Sequence, residues 1–207
     1  MIPVPGFEDL RVRWIKIRGL GFVLYGFLLY SNADRQVIEF MEFGLPLLDM
    51  WSGPETAIFV IESPNKDWLR YVADQPDHPW HLFESASMPA ELATVDENTS
   101  LLIQESDNLV LVTKADQMPL SSLLKPNYAV PYGPLEVERV RKYFGLELDQ
   151  YPCVIFFEDL YGRSFFHNPM PRFPDVQDVR YWFQCLFVSP AFKDLLEKVR
   201  LKVKSHA

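Results

Sequence analysis

The sequence predicts an α/β fold, because strand-length apolar runs alternate along the chain with segments whose apolar residues recur at helical spacing. Residues 22–30 and 56–62 are the first two apolar runs, and each has the length of a buried strand. Between them, Asp34 precedes a helical pattern and is a residue type that caps helices. The apolar positions of this predicted helix are Val37, Ile38, Met41, Leu45 and Leu48.

Two further features of the first half of the chain predict secondary structure. Residues 10–18 alternate in part between apolar and basic side chains, which predicts another strand before the break at Gly19 and Gly21. Gly44 and Pro46 are expected to kink or end the helix that follows Asp34. The first half is therefore predicted to contain two strands, a helix and a third strand.

The second half repeats this alternation after Pro134. Residues 135–144 have helical spacing, and the apolar run 153–158 is followed by a turn signal at Gly162 and a second strand at 164–167. Asp175 and the Ser189-Pro190 pair then have the residue types that begin helices. We therefore expect a hairpin followed by a long closing element in two helical parts.

One stretch of this half resembles part of a known fold. The segment Lys142-Tyr143-Phe144-Gly145 leads through a short link to Pro152 and the apolar strand. This order resembles the second half of the thioredoxin fold, in which a cis-proline precedes an apolar strand, a glycine turn, a second strand and a closing helix. The resemblance implies a thioredoxin-like mixed sheet flanked by helices, a core of about residues 10–63 and 133–203, and a cis peptide bond before Pro152.

Residues 64–132 have no counterpart in that pattern and are predicted to be an insertion within one domain of 1–207. Its first part, 65–73, is a candidate helix with Trp68, Leu69 and Val72 inward, and 101–104 and 109–112 predict a hairpin. Connections of this length often carry function. The insertion is therefore expected to offer Trp68 and Trp80 as aromatic anchors for another protein.

The redox motif of the thioredoxin family is absent. No Cys-x-x-Cys occurs, and the resemblance places Ser31 and Asp34 where the two cysteines would stand. Neither side chain can exchange a disulfide. The resemblance thus implies a redox-inactive relative whose groove, with Ser31, Asp34, Tyr151 and Pro152, binds a protein. Asp34 acting only as a helix cap is the simpler alternative.

The two cysteines leave an enzymatic alternative open. Cys153 follows Pro152 and could act as a single redox thiol if its thiolate were stabilised. Its apolar neighbours and the acidic residues beyond them would instead raise the pKa of the thiol, which favours a packed, inert cysteine. Cys185 lies within the apolar helix 183–187 and is expected in the core.

A metal site is the second enzymatic alternative. His78 and His81 have the His-x-x-His spacing found in some zinc sites, with Asp77 and Glu84 beside them. The sequence shows no completing ligand set, and Pro79-Trp80 favours a rigid turn. We expect no cofactor.

Composition restricts the class of partner. The formal net charge is −8, and the sequence lacks the basic surplus that nucleic acid or an anionic membrane surface attracts. The basic segment before the apolar run 19–30 resembles a signal peptide, but a run of about 12 residues is too short to span a bilayer. With two cysteines, no disulfide framework is expected. The sequence thus predicts a cytoplasmic, noncatalytic module that binds another protein and neither nucleic acid nor membrane.

Overall fold

The computed structural model describes residues 1–62, 64–87, 101–105, 108–112, 134–162 and 164–205. The chain forms two compact units, one of residues 1–87 with 129–207 and one of residues 88–128. The helices are α1 (Phe7–Arg18), α2 (Arg35–Ser52), α3 (Lys66–Ala73), α4 (His81–Ser87), α5 (Pro134–Phe144), α6 (Val176–Val188) and α7 (Pro190–Ser205). The strands are β1 (Ile2–Val4), β2 (Leu24–Leu29), β3 (Thr56–Ile61), β4 (Leu101–Glu105), β5 (Asn108–Val112), β6 (Cys153–Phe157) and β7 (Phe165–Pro169).

The first unit is built on a mixed five-stranded sheet with the order β1-β3-β2-β6-β7. The strands β1, β3 and β2 are parallel, and β6 and β7 continue the sheet as antiparallel strands. Gly162 lies in a 3-10 turn, Leu160–Gly162, between β6 and β7. The predicted α/β class and the predicted hairpin of the second half are confirmed.

Neighbouring residues of a strand point to opposite faces of the sheet. Because the central strands are buried at every position, both faces are covered by helices. On one face, Phe157 of β6 packs against Trp14 of α1 and Phe144 of α5, with ring centroids 5.9 and 5.2 Å apart. On the other face, Phe156 packs against Phe192 of α7 at 5.4 Å. The sheet is thus the middle layer between two helical layers.

The prediction of a strand over residues 10–18 is wrong, because these residues belong to α1. Leu10, Trp14 and Ile17 are buried and share one helical face, whereas Val12 and Ile15 are 79% and 83% exposed. The apparent alternation came from apolar residues on opposite sides of a helix. The sheet instead gains β1, which the sequence analysis did not predict.

The helix α2 continues through Gly44 and Pro46 to Ser52, so these residues, which were expected to kink or end the helix, do not end it. Gly44 is closely packed, since a Cβ there would lie 2.6 Å from the ring of Phe40. Pro46 has no N–H to donate to the Glu42 carbonyl four residues earlier. The side-chain amide of Asn65 donates to that carbonyl at 2.9 Å and to the Met41 carbonyl at 3.1 Å.

The predicted helix ends of the second half are confirmed. Gly145 follows α5 with a φ of 69°, a conformation that favours glycine. The Asp175 carboxylate accepts hydrogen bonds from two backbone N–H groups in the first turn of α6. The Ser189 hydroxyl accepts one from the Phe192 N–H at the start of α7.

The second unit contains the predicted hairpin. Strands β4 and β5 are antiparallel, with pairs from Leu101↔Val112 to Glu105↔Asn108. Each strand is one residue longer than predicted, on the side of the turn. Residues 64–87 group instead with the first unit, so the separate unit is shorter than the predicted insertion of 64–132.

Candidate functional site

The candidate site lies at the edge of the sheet where β2 and β3 end and β6 begins. Leu29, the last residue of β2, pairs with Cys153, the first residue of β6. Because these strands are antiparallel, the loop after Leu29 and the residues before Cys153 reach the same edge. This edge therefore holds Ser31, Asp34, Tyr151 and Pro152, four of the six residues that the sequence analysis selected for binding.

The loop from Ser31 to Asp34 is closed by its own side chains. One oxygen of the Asp34 carboxylate, Oδ2, accepts hydrogen bonds from the Ser31 N–H and the Ser31 hydroxyl, both at 2.7 Å. The Ser31 hydroxyl in turn accepts a hydrogen bond from the Ala33 N–H. Asn32 and Ala33 are exposed at the tip of this loop.

Asp34 occupies the residue before α2, but its carboxylate does not cap the helix as predicted. Its backbone carbonyl accepts from the Val37 and Ile38 N–H groups, both at 3.0 Å, while no side-chain bond to the first turn of α2 is present within the described residues. The carboxylate is directed toward Ser31 instead. Asp34 therefore stands at the predicted cap position, but its side chain does not form the predicted capping hydrogen bond.

The peptide bond between Tyr151 and Pro152 is cis, as expected from the resemblance to the thioredoxin fold. Pro152 is buried, and its carbonyl accepts a hydrogen bond from the Met170 N–H at 2.8 Å. Tyr151 is partly exposed, and burial of its hydroxyl raises the pKa above the ordinary range of tyrosine. Tyr151 thus provides accessible surface next to a fixed turn.

Cys153 is fully buried, with an exposed fraction of 0%. Burial raises the pKa of its thiol to about 12. A nucleophilic cysteine requires the opposite shift, since the thiolate is the reactive form. The thiol at this edge is therefore packed in an inert state, which argues against the single-thiol enzyme.

The prediction that Cys185 lies in the core is wrong, because its side chain is exposed. Phe183 and Phe187 of α6 are buried and lie on one helical face, and Cys185 is midway between them in sequence. A helix turns by about half a revolution over two residues, so Cys185 faces away from the core.

The sequence analysis missed Tyr30 and Glu62 at the same edge. The pair Leu28↔Val60 in the parallel β2–β3 ladder brings Tyr30 and Glu62 level with each other two residues later. Burial raises the pKa of Glu62 to about 7; a hydrogen bond with Tyr30 opposes this shift and the charge of Glu42 adds to it. The Glu62 carboxyl oxygen Oε2 is buried. A lone acidic residue after an apolar strand was the only sequence signal.

Trp68 and Trp80 do not form the exposed anchors that were predicted. They are 0% and 2% exposed and belong to the hydrophobic core of the first unit, together with Val72 and Phe83. Leu69 was expected to point inward but is partly exposed. The tryptophans of α3 and of the turn before α4 therefore stabilise the fold and offer little surface to a partner.

The two histidines proposed as weak metal ligands have protein partners on both ring nitrogens. His78 contacts the Asp49 carboxylate at 3.3 Å and accepts from the Trp80 N–H at 3.1 Å. His81 contacts Glu84 at 3.2 Å and the Gln75 carbonyl at 3.0 Å. No group of three or more metal-ligating side chains occurs among the residues that the structure describes.

Comparison with known proteins adds no family to this picture. No family model, curated protein or solved structure matches the chain. In the described ranges, no helix combines the length and the apolar character that crossing a membrane requires.

Proposed function

We propose that this chain is a thioredoxin-like, redox-inactive module that binds another protein. The order β1-β3-β2-β6-β7 and the cis bond before Pro152 support a thioredoxin-like arrangement. The main support for the proposal comes from two side chains in the loop between β2 and α2. Ser31 and Asp34 occupy the loop that would hold two thiols, and they bond to each other.

The binding surface is the sheet edge formed by Asn32, Ala33, Ser31 and Tyr151. These residues are exposed or partly exposed, and the loop is held by the Asp34 carboxylate. A prearranged loop loses little conformational entropy on association, so it suits recognition. The partner is another protein, and a cytoplasmic location fits the two free thiols.

The noncatalytic part of the proposal is tested by thiol chemistry. The folded protein should not reduce a model disulfide, and Cys153 should react slowly with a thiol reagent at neutral pH, because its thiol is buried and protonated. A Cys185→Ser variant isolates Cys153 in this measurement. Rapid labelling of Cys153 in that folded variant would contradict the proposal.

The binding part is tested with a photo-crosslinking amino acid at residue 32. The crosslinked protein is identified, purified and titrated against the chain. Asn32→Arg should weaken its binding by about tenfold or more, as expected at the centre of an interface. Tyr161→Arg is the matched control, because Tyr161 is 52% exposed and follows the opposite end of β6.

Equal crosslinking from residue 161 would contradict this assignment of the surface. Unchanged affinity of the Asn32→Arg variant for the purified partner would contradict it as well. Circular dichroism of both variants checks that neither substitution alters the fold.

A further inference from the structure

The two outermost strands of the central sheet differ in how well they are covered. Strand β1 is buried along its whole length. Strand β7, on the other side, pairs only with β6 among the strands that the structure describes. Phe166 in the middle of β7 is 39% exposed. The backbone N–H and C=O groups on the outer side of such a strand are free to pair with another chain, and we call this the open side of β7.

The register of the hairpin identifies the backbone groups that face the open side. The Met170 N–H donates to the Pro152 carbonyl, so this pair is hydrogen-bonded. Successive pairs of an antiparallel ladder alternate between hydrogen-bonded and non-hydrogen-bonded, so the even-numbered residues of β7 bond to β6. Phe165 and His167 therefore turn their N–H and C=O groups to the open side. Pro169 has the same orientation, and its missing N–H breaks no bond to β6.

A groove of about 590 Å³ runs along the open side. Three consecutive residues of β7, 166–168, border it, although neighbouring side chains of a strand point to opposite faces of the sheet. The groove therefore follows the backbone of β7. Helices α6 and α7 form its outer wall, with Trp182, Leu186 and Leu195 among the apolar side chains.

The wall formed by α7 carries the two charged side chains of the described lining, Asp194 and Lys198. The ion pairs of α7 in the described part of the chain use Arg200 and Lys202 instead. The Lys198 ammonium lies over the ring of Phe166, 5.9 Å from its centroid. A carboxylate placed in the groove beside this ring would form an ion pair with Lys198.

The charge and layout of the chain favour a segment of another protein over a second copy of this chain. Only an extended backbone offers N–H and C=O groups at the spacing of β7. Two copies joined through their β7 strands would place both α7 helices on the same face of the joined sheet, beside the seam. Each copy also has a formal net charge of −8, and like charges repel. A single extended segment fits beside α7 without either obstacle.

We propose that the open side of β7 binds an extended segment of another protein, which adds a sixth strand to the sheet. The backbone of the segment pairs with Phe165 and His167. Its apolar side chains enter the groove beside Trp182, and a carboxylate on the same face pairs with Lys198. This surface shares no residue with the proposed binding loop around Ser31, so either proposal can fail while the other stands.

The probe is the acetylated and amidated hexapeptide Thr-Val-Thr-Val-Thr-Glu, which as a strand places both valines and the glutamate on one face. Binding to the full chain is followed by NMR at pH 7, and a dissociation constant of about 0.1–1 mM is expected for a short flexible peptide. At saturation, the N–H groups of Phe165 and His167 should exchange with solvent about fivefold more slowly, because the peptide protects them. Those of Phe166 and Asn168 should change less, because they already bond to β6.

Two N-methylated forms of the peptide test the backbone pairing directly. One form is methylated on both valine nitrogens, and the other on the nitrogens of the second and third threonines. Successive N–H groups of a strand point to opposite sides, so only one form can block the hydrogen bonds to β7. That form should bind about tenfold more weakly, by loss of two hydrogen bonds. The other form should keep its affinity within about threefold.

Two matched variants on the wall formed by α7 test the ion pair. Lys198→Gln should weaken peptide binding about threefold, as expected for an exposed charge. Asp194→Asn, one helical turn away, should not weaken it. Replacing the glutamate of the peptide by glutamine should have the same effect as Lys198→Gln, and the two changes together should not add, because they remove the same interaction.

Several results would overturn the proposal. Equal affinity of the two N-methylated forms would do so, as would unchanged exchange of the His167 N–H at saturation. Slow exchange of the Phe165 and His167 N–H groups in the free monomer would show that the open side is already covered. Protection that rises with protein concentration, together with sedimentation as a dimer, would assign this surface to a second copy. Absence of saturation at about tenfold above the expected constant would overturn the proposal too.

Discussion

The side-chain amide of Asn65 donates a hydrogen bond to the backbone carbonyl of Glu42, which Pro46 cannot reach with an N–H of its own. The same residue accepts a hydrogen bond from the Trp68 N–H at 2.8 Å and so caps α3. Asn65 therefore joins two helices by using both ends of its amide. The proline inside α2 is tolerated because a neighbouring segment supplies the missing donor.

Asn65→Asp should destabilise the protein by about 0.5–1.5 kcal/mol, the usual net contribution of one hydrogen bond. The aspartate keeps an acceptor for the Trp68 N–H but turns a negative oxygen toward the carbonyls of Met41 and Glu42. Urea unfolding of the two proteins measures this difference in the free energy of unfolding.

Pro46→Ala provides the control, because alanine restores an N–H that can bond to the Glu42 carbonyl. In this background the loss caused by Asn65→Asp should shrink, giving a measurable coupling between the two sites. Strictly additive effects would show that the Asn65 amide does not compensate for the proline.

Trp80→Ala is expected to destabilise the protein by about 3–5 kcal/mol, the usual loss for a buried aromatic residue. Its indole is 2% exposed and lies in the core of the first unit. The sequence alone favoured an interface anchor, for which the same substitution would affect binding and leave stability unchanged. Chemical denaturation distinguishes these outcomes.

Tyr181→Ala is the matched control for Trp80→Ala, since Tyr181 is an exposed aromatic residue of α6. Its substitution should change the free energy of unfolding by less than about 0.5 kcal/mol. If Trp80→Ala were equally mild, Trp80 would not be part of the stabilising core.

Glu62 should make stability depend on pH. Its pKa is raised from 4.5 to about 7, so between these values the folded state keeps a proton that the unfolded state releases. Stability from this group is complete below about pH 4.5 and is lost as the pH rises through 7, by up to about 3 kcal/mol. Glu62→Gln removes the titration and should abolish this part of the decline.

Urea unfolding at a series of pH values from about 4 to 8 measures this effect. Glu39→Gln serves as the control, because Glu39 is an exposed glutamate on α2 and its loss removes the same charge. Parallel stability curves for the wild type and Glu62→Gln would contradict the assignment of a raised pKa to Glu62.

The sequence predicted the three long central strands of the sheet, whose burial is complete. Strands β2, β3 and β6 are buried along their whole length, so each appears in the sequence as an uninterrupted apolar run. Helix α1 was mistaken for a strand because Val12 lies two residues from Trp14 but on the opposite side of the helix. Local alternation could not distinguish this arrangement from a pleated strand.

The site could be predicted only where its residues are neighbours in the chain. Ser31 and Asp34 are three residues apart, and the position of Pro152 before an apolar strand is a local signal. The contact between Tyr30 and Glu62 depends on the register of two strands separated by helix α2. Register is set by the packing of the whole sheet, so a sequence pattern cannot reveal the raised pKa of Glu62.

Replacing both Ser31 and Asp34 by cysteine should create an intramolecular disulfide. The Ser31 hydroxyl lies 2.7 Å from the Asp34 carboxylate, so the two side chains already face each other across the loop. The start of α2 would also favour a thiolate at these positions. Mass spectrometry and thiol counting of the denatured protein measure the bond, in a Cys185→Ser background that removes the other exposed thiol.

The control pairs Ser31→Cys with Arg35→Cys, one residue further along, where the helix directs the side chain about 100° away. The disulfide should form much less readily in this control. Because a dithiol at the start of α2 beside cis-Pro152 is the arrangement that the proposed relationship to thioredoxin requires, the Ser31→Cys, Asp34→Cys variant should also gain reductase activity toward a model disulfide. Two free thiols after mild oxidation would show that the loop does not bring these positions together. A disulfide without reductase activity would show that the chain resembles thioredoxin in geometry but not in activity.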